Sequence, residues 1–286
     1  MFFNAMPVKN FEKVIKATPK ELEDIVSYYI CYIPTSRVVK KIKFGKLNLF
    51  PDYIQRLEFM YNAFASSAKR LKNKKENDYN AHKLIEKLGI TVCPYCNRNF
   101  INNIKTVKTK TRTSEIDHFY PKSIFPFFAV SFFNLIPSCK VCNKIKLANN
   151  IKILNPYDKR FDTNKIIKFS QQITGTQFYY KTEDIKLEIK YKSENKTAEQ
   201  LAKNSIDVFK LEDLYNNHKD IALEILQKQY MYSVDYLETL FKQYEGTLFK
   251  NMEQLKGIIF GNYISDDEIH KRPLAKFTKD ILEDLE

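Results

Sequence analysis

Four cysteines in two C-x-x-C pairs, Cys93-Pro94-Tyr95-Cys96 and Cys139-Lys140-Val141-Cys142, are the residues best suited to bind a metal. Two residues between thiols let both sulfurs of a knuckle face one ion about 2.3 Å away, and two knuckles supply a tetrahedral set of four thiolates. A redox C-x-x-C accounts for one pair and leaves the other idle. A disulfide framework belongs to secreted chains. The segment Met1-Phe2-Phe3-Asn4-Ala5 lacks a basic region followed by an apolar stretch, so no secretion leader is expected. The pairs therefore read as ligands of a structural Zn2+ in a closed site that does not itself catalyse. Cys31, among Tyr28, Tyr29, Ile30 and Ile33, reads as a core thiol.

The gap between Cys96 and Cys139 is 42 residues, against roughly 15–20 in a plain zinc ribbon. Something folded sits between the knuckles. It contains Glu115-Ile116-Asp117-His118-Phe119-Tyr120-Pro121-Lys122-Ser123 and then Phe133-Asn134-Leu135-Ile136-Pro137-Ser138; Asn143-Lys144-Ile145-Lys146 follows the second knuckle. Hydrolysing a phosphodiester needs a base for water, a cation on the leaving oxygen and donors for the phosphate. His118 has the right intrinsic basicity. Asp117 is a hard oxygen ligand suited to Mg2+, and Asn143 offers an amide oxygen from the start of a helix. Lys122, Lys144, Lys146 and Arg112 are candidate phosphate contacts, with an ordinary solvated side chain as the alternative for Lys122 and Arg112. Glu115 shares a strand face with Asp117, either as a further ligand, as a solvated side chain or as a partner of Lys122.

Taken together, the Asp-His pair, the two C-x-x-C pairs and Asn134 nine residues before Asn143 resemble an HNH endonuclease of the ββα-metal fold over about residues 90–157. The resemblance implies that His118 is the general base and that Asp117 and Asn143 hold Mg2+ or Mn2+. It further implies that Asn134 organises the connecting loop and that the cysteine quartet is a bracing zinc site. A narrower likeness rests on Asp117-His118-Phe119-Tyr120-Pro121-Lys122-Ser123 and on Asn134-Leu135-Ile136-Pro137-Ser138-Cys139 through Cys142-Asn143. These stretches, and the one from Ala198 through Leu211 to His218, are similar to the HNH effectors of Septu and retron-associated anti-phage systems. That likeness implies a prokaryotic antiviral defence nuclease paired with an SMC- or ABC-like ATPase subunit.

The elements that must position these groups are mostly helical. Thr18-Pro19-Lys20-Glu21 is a capping box with Pro at the first helical position. Residues 52–72 repeat apolar positions, Tyr61 among them, at helical spacing, and His82–Leu88 reads as a short helix stopped by Gly89. Residues 90–157 break the helical pattern, and the stretch from Asn99 to Ser114 is a long basic loop, either a DNA-contacting flap or a mobile connection. Gln177–Lys181 and Ile185–Tyr191 read as strands, Leu211–Phe249 as two helices, Ser265–Glu268 as a helix start, and a last helix begins at Pro273. The expected class is α+β and mainly helical, with an N-terminal helical region (1–88), a zinc-braced nuclease module (89–157), and a short β segment with a C-terminal helical region (158–286).

Charge supports the placement of the module. Lys+Arg total 47 against 34 Asp+Glu, a net +13, and only seven of the basic residues are Arg. Residues 101–160 carry 11 basic and three acidic side chains, whereas residues 161–286 carry 18 basic and 22 acidic ones. The local basic field suits phosphate. Scarce Arg argues against extensive bidentate base reading. Tyr120, Phe125, Phe127, Phe128, Phe132 and Phe133 could stack bases, though core filling is the simpler role. No apolar run reaches membrane-spanning length. The expectation is a cytoplasmic Mg2+-dependent endonuclease acting on DNA with little sequence specificity, with homo-oligomerisation left open. An RNA (tRNA) nuclease and a non-catalytic, zinc-dependent nucleic-acid-binding module are the alternatives.

Overall fold

The computed structural model describes residues 8–32, 51–65, 79–105 and 110–284, with side chains described over 12–27, 56–65, 79–104 and 111–284. About half of the described residues are helical and the rest include small antiparallel sheets, an α+β arrangement. The chain divides into two compact units, Met1–Gly89 with Ile101–Arg160, and Ile90–Phe100 with Phe161–Glu286. These boundaries differ from the three consecutive regions expected, because Ile90–Phe100 clusters with the C-terminal residues. No described helix is long and apolar enough to cross a membrane.

The first unit opens with α1 (Val8–Lys16) and α2 (Pro19–Tyr32). The Thr18 capping box forms, with the Thr18 N–H donating to Glu21 Oε2 at 2.8 Å and the Glu21 N–H donating to Thr18 Oγ1 at 3.4 Å. Two orphan helix donors are thereby satisfied. α3 is Pro51–Ala65, and the part of the 52–72 pattern beyond Ala65 lies outside the described residues, as does the side chain of Cys31. α4 is Ala81–Leu88, capped by the Asn80 side chain and ended by Gly89 at φ 64°, the left-handed conformation a glycine adopts without strain.

β1 (Asn103–Lys105) and β2 (Lys110–Arg112), from the basic stretch after Asn99, pair antiparallel, and residues 106–109 lie outside the described residues. β3 (Glu115–His118) pairs antiparallel with β4 (Leu135–Ser138), in the register Glu115↔Ser138 to His118↔Leu135. α5 (Lys140–Lys146) follows β4 directly and packs on β3. Phe125, Phe127 and Phe128, from the connection between the strands, are buried with Val14, Ala17, Leu22 and Val26. Most of the connection's aromatics therefore fill a core, and Phe132 is the exception at 39% exposure. Ile116 and Leu135 share a second cluster with Ala81 and Leu84, covered by Tyr61 and Phe64.

In the second unit β5 (Ile167–Ile173), entered through the single turn α6 (Thr163–Ile166), pairs antiparallel with β6 (Ile185–Tyr191). The expected strand at Gln177–Lys181 is instead a run of turn, and the partner of β6 lies ten residues earlier, where Ile167, Phe169 and Ser170 are buried. Then come α7 (Lys196–Phe209), α8 (Leu211–Asn216), α9 (Lys219–Met231), α10 (Val234–Tyr244), α11 (Met252–Ile259) and α12 (Ala275–Glu283). Leu211–Phe249 thus holds three helices rather than two, because Asn217-His218 and Tyr232-Ser233 each interrupt the pattern. Ser265–Glu268 starts no helix and forms turns. α12 is clipped to β5 by a buried pair. Lys276 Nζ donates to Asp280 Oδ2 at 2.8 Å and to the Ile167 carbonyl at 2.9 Å, and the Phe169 N–H donates to the same carboxylate oxygen at 2.9 Å.

Candidate functional site

Cys93, Cys96, Cys139 and Cys142 are all buried, and their sulfurs lie within 4.8 Å of one another. None of the four is in a disulfide. A tetrahedral ion with bonds of about 2.3 Å sets its sulfurs about 3.8 Å apart. The donor set therefore suits a structural metal such as zinc. Backbone geometry makes each knuckle. The Cys93 carbonyl accepts from the Asn97 N–H at 2.8 Å, with Asn97 left-handed at φ 48°, and Asn99 Nδ2 approaches Cys96 Sγ at 4.0 Å. Cys139 caps α5, its sulfur accepting from the Cys142 N–H at 3.4 Å. Around the first knuckle, the Tyr215 hydroxyl donates to the Cys96 carbonyl at 2.7 Å and Tyr95 stacks on Phe209 with centroids 4.4 Å apart.

The residues between the knuckles are brought together by β3, β4 and α5. Asn134 is fully buried and ties the ends of the inter-strand connection. Its Oδ1 accepts from the Tyr120 N–H at 2.7 Å, and its Nδ2 donates to the Tyr120 and Phe128 carbonyls at 3.1 Å each. Such a three-bond brace is what a loop-organising side chain has to make.

His118 ends β3. Its Nε2 lies 3.0 Å from the Ala129 carbonyl oxygen. A carbonyl only accepts, so Nε2 carries the proton and the basic lone pair is on Nδ1. The Tyr61 ring lies against the imidazole, with centroids 4.5 Å apart at 54°. Burial pushes the His118 pKa down to about 4, opposed by the Ala129 hydrogen bond and reinforced by Lys122 and Lys146. The imidazole is neutral across the neutral pH range. In the unfolded chain an ordinary histidine, near 6.5, protonates first as pH falls, so the unfolded state binds the extra proton between pH 6.5 and 4 and folding weakens there. The shift corresponds to about 3 kcal/mol over that window. Melting curves at pH 7.5, 5.5 and 4.5 are expected to show wild type losing more stability toward acid than His118→Gln; parallel losses would remove this histidine as the cause.

Asp117 and Glu115, on the same face of β3, meet α5. Lys146 Nζ is 3.1 Å from Asp117 Oδ1 and 3.0 Å from Oδ2, and donates to the His118 carbonyl at 2.7 Å. Both side chains are buried, at 2% and 4% exposure. Lys146, expected as a phosphate contact, is an internal brace instead, because burial leaves its ammonium no path to a bound backbone. Asp117, expected as a metal ligand, has its carboxylate against that ammonium. Glu115 takes neither a lone solvated role nor Lys122: its Oε2 accepts from Asn143 Nδ2 at 2.5 Å. That bond orients the amide and leaves Asn143 Oδ1 to face another ligand. Breaking a buried pair strands a charge and costs about 3–5 kcal/mol. Lys146→Met is therefore expected to lower stability by that amount in thermal or denaturant unfolding, and Lys144→Met, at an exposed position, by under about 0.5 kcal/mol. Equal small effects would contradict the internal role.

Lys122 and Lys144 are exposed, and Lys122 Nζ sits 4.8 Å from the Tyr61 ring centroid. Arg112, expected as a phosphate contact, is half-buried and donates to the backbone, to Ala65 O at 2.7 Å and Ser114 O at 3.1 Å. It ties α3 to β2. Sequence reasoning missed Tyr61, which read as one apolar position among many in a helical pattern, and the Ala129 carbonyl, which has no side-chain signature. Of the histidines outside the module, His82 Nδ1 lies 3.1 Å from Asn103 Oδ1, and His218 Nε2 accepts from Arg98 Nε at 2.9 Å. Compared with known proteins, the chain matches no family model, and no curated protein or solved structure is significantly similar to it.

Proposed function

We propose that the chain is an HNH-type endonuclease, a metal-dependent phosphodiester hydrolase acting on nucleic-acid backbones with little sequence discrimination. The observation that supports it best is His118, held in one tautomer by the Ala129 carbonyl with Nδ1 left as base, at the end of a strand whose antiparallel partner leads into the helix bearing Asn143. In this reading His118 Nδ1 takes the proton of the attacking water. Asn134 keeps the connection, and so the Ala129 carbonyl, in place. Lys122 and Lys144 draw the phosphate in as point charges. In this reading the Asn143 amide oxygen and the Glu115 carboxylate are the oxygen donors that would hold Mg2+ or Mn2+, while both oxygens of Asp117 are already engaged by the Lys146 ammonium. A divalent ion held there supplies charge stabilisation on the phosphate and the departing oxygen. Zinc on the four cysteines holds the scaffold.

DNA is the substrate we favour on the resemblance to HNH endonucleases; the strongly positive net charge of residues 101–160 supports a phosphate backbone of either kind. The resemblance to anti-phage effectors alone supports the further proposal of a defence nuclease working with an ATPase subunit. The test is direct: purified chain, with and without a candidate ATPase, on labelled DNA and RNA in Mg2+ and in EDTA, beside the His118→Ala variant. Mg2+-dependent cleavage of RNA only would replace DNA as the substrate. Binding without cleavage in every arm, unchanged by His118→Ala, would leave a zinc-dependent binding module in place of an enzyme.

A further inference from the structure

We infer that Tyr61 is a positioning residue that holds both His118 and Lys122 for cleavage. The inference rests on the nuclease reading and adds to it a side chain from a helix outside the knuckled segment. His118 has a hydrogen bond at one nitrogen, Nε2 to the Ala129 carbonyl. One such bond fixes the tautomer and leaves the ring free to swing about the Nε2···O line. The Tyr61 ring, 4.5 Å away centroid to centroid, closes off that swing. Tyr61 is itself tied down. Its hydroxyl donates to the Ile116 carbonyl at 3.3 Å, and it packs over the Ala81, Leu84, Ile116 and Leu135 cluster beside Phe64. The same ring seats a cation, with Lys122 Nζ 4.8 Å from its centroid. A lysine resting on an aromatic face loses part of the rotamer freedom it has in water. One fixed ring thus sets the base and the exposed ammonium four residues further on at a defined separation. Plain core filling needs only apolar volume. It does not require an aromatic ring facing an imidazole on one contact and an ammonium on another.

Steady-state cleavage kinetics separate the two roles. Tyr61→Phe keeps the ring and is expected to hold kcat and KM within about threefold of wild type. Tyr61→Leu keeps apolar volume and loses the ring; it is expected to lower kcat by about tenfold to a hundredfold, the size of effect a small misplacement of a reacting group produces. It is also expected to raise KM about threefold through Lys122, with bound zinc unchanged. Wild-type kcat in Tyr61→Leu, with His118→Ala inactive in the same assay, overturns the role of Tyr61 alone. Full activity in His118→Ala overturns the HNH reading in which His118 is the base, and with it the ground for the inference. Should Tyr61→Leu not fold, the wild-type full-length chain still decides: a nuclear Overhauser contact between the Tyr61 and His118 ring protons is expected, and its absence overturns the inference.

Discussion

Replacing His118 with alanine is expected to reduce cleavage by about a hundredfold to ten-thousandfold, the range a positioned general base supplies. That is about 3–5 kcal/mol of transition-state stabilisation. The effect should fall on kcat, because the imidazole acts on water and not on the bound phosphate. Its Nε2 contact is to a backbone carbonyl, so the variant loses one hydrogen bond and leaves Ala129 O as the bereft group. The Asn134 brace does not involve the imidazole and keeps the connection ordered. Zinc content and circular dichroism should therefore match wild type while plasmid nicking and relaxation vanish. His118→Gln, which retains a donor for Ala129, should be as inactive as alanine and closer to wild type in stability. Mg2+-dependent cleavage near the wild-type rate in either variant would remove His118 from the reaction.

Depriving the four cysteines of a metal is expected to have the larger effect on folding. Structural zinc contributes on the order of 10–16 kcal/mol to small zinc-dependent folds. α5 runs only from Lys140 to Lys146, and a helix that short is not stable on its own. Cys139 caps its start and Cys142 is fully buried in its first turn. A metal on these two sulfurs therefore fixes the element that carries Asn143 and Lys146. Cys142→Ser, or a strong chelator, should release zinc, lower the melting temperature steeply and abolish cleavage together with it. Cobalt substitution should give the visible spectrum of a tetrahedral thiolate site. A chain that purifies without metal yet keeps its melting temperature would refute the metal site, and disulfide pairs in its place would favour the redox reading of C-x-x-C.

Much of the local structure was legible from short-range chemistry. Thr18 and Glu21 announce a capping box, and Gly89 a left-handed helix stop, because each depends on residues within one turn. The cysteine pairs were legible because two-residue spacing is itself a metal-ligand geometry. The errors have the opposite character. Gln177–Lys181 alternates like a strand and forms turns, since the edge beside β6 was taken by Ile167–Ile173, whose Phe169 N–H reaches Asp280 in the last helix. Lys146 and Arg112 counted as basic residues on charge alone. Only burial revealed that one is matched to Asp117 and the other to backbone carbonyls.

For the candidate site, the amino-acid order determined which chemical groups are available: an imidazole, hard oxygen donors, four thiols and a basic surround. Those are properties of side chains and spacing, and they survive in any conformation. The tertiary structure decided which of them meet. The Nε2 tautomer of His118, the pairing of Glu115 with Asn143, and the Tyr61 ring against His118 each depend on partners brought close by strand register and helix packing. Tyr61 and Ile116 lie 55 residues apart in the chain and meet through a hydrogen bond. Contacts at that separation depend on how the whole unit packs, and no periodicity along the chain encodes them.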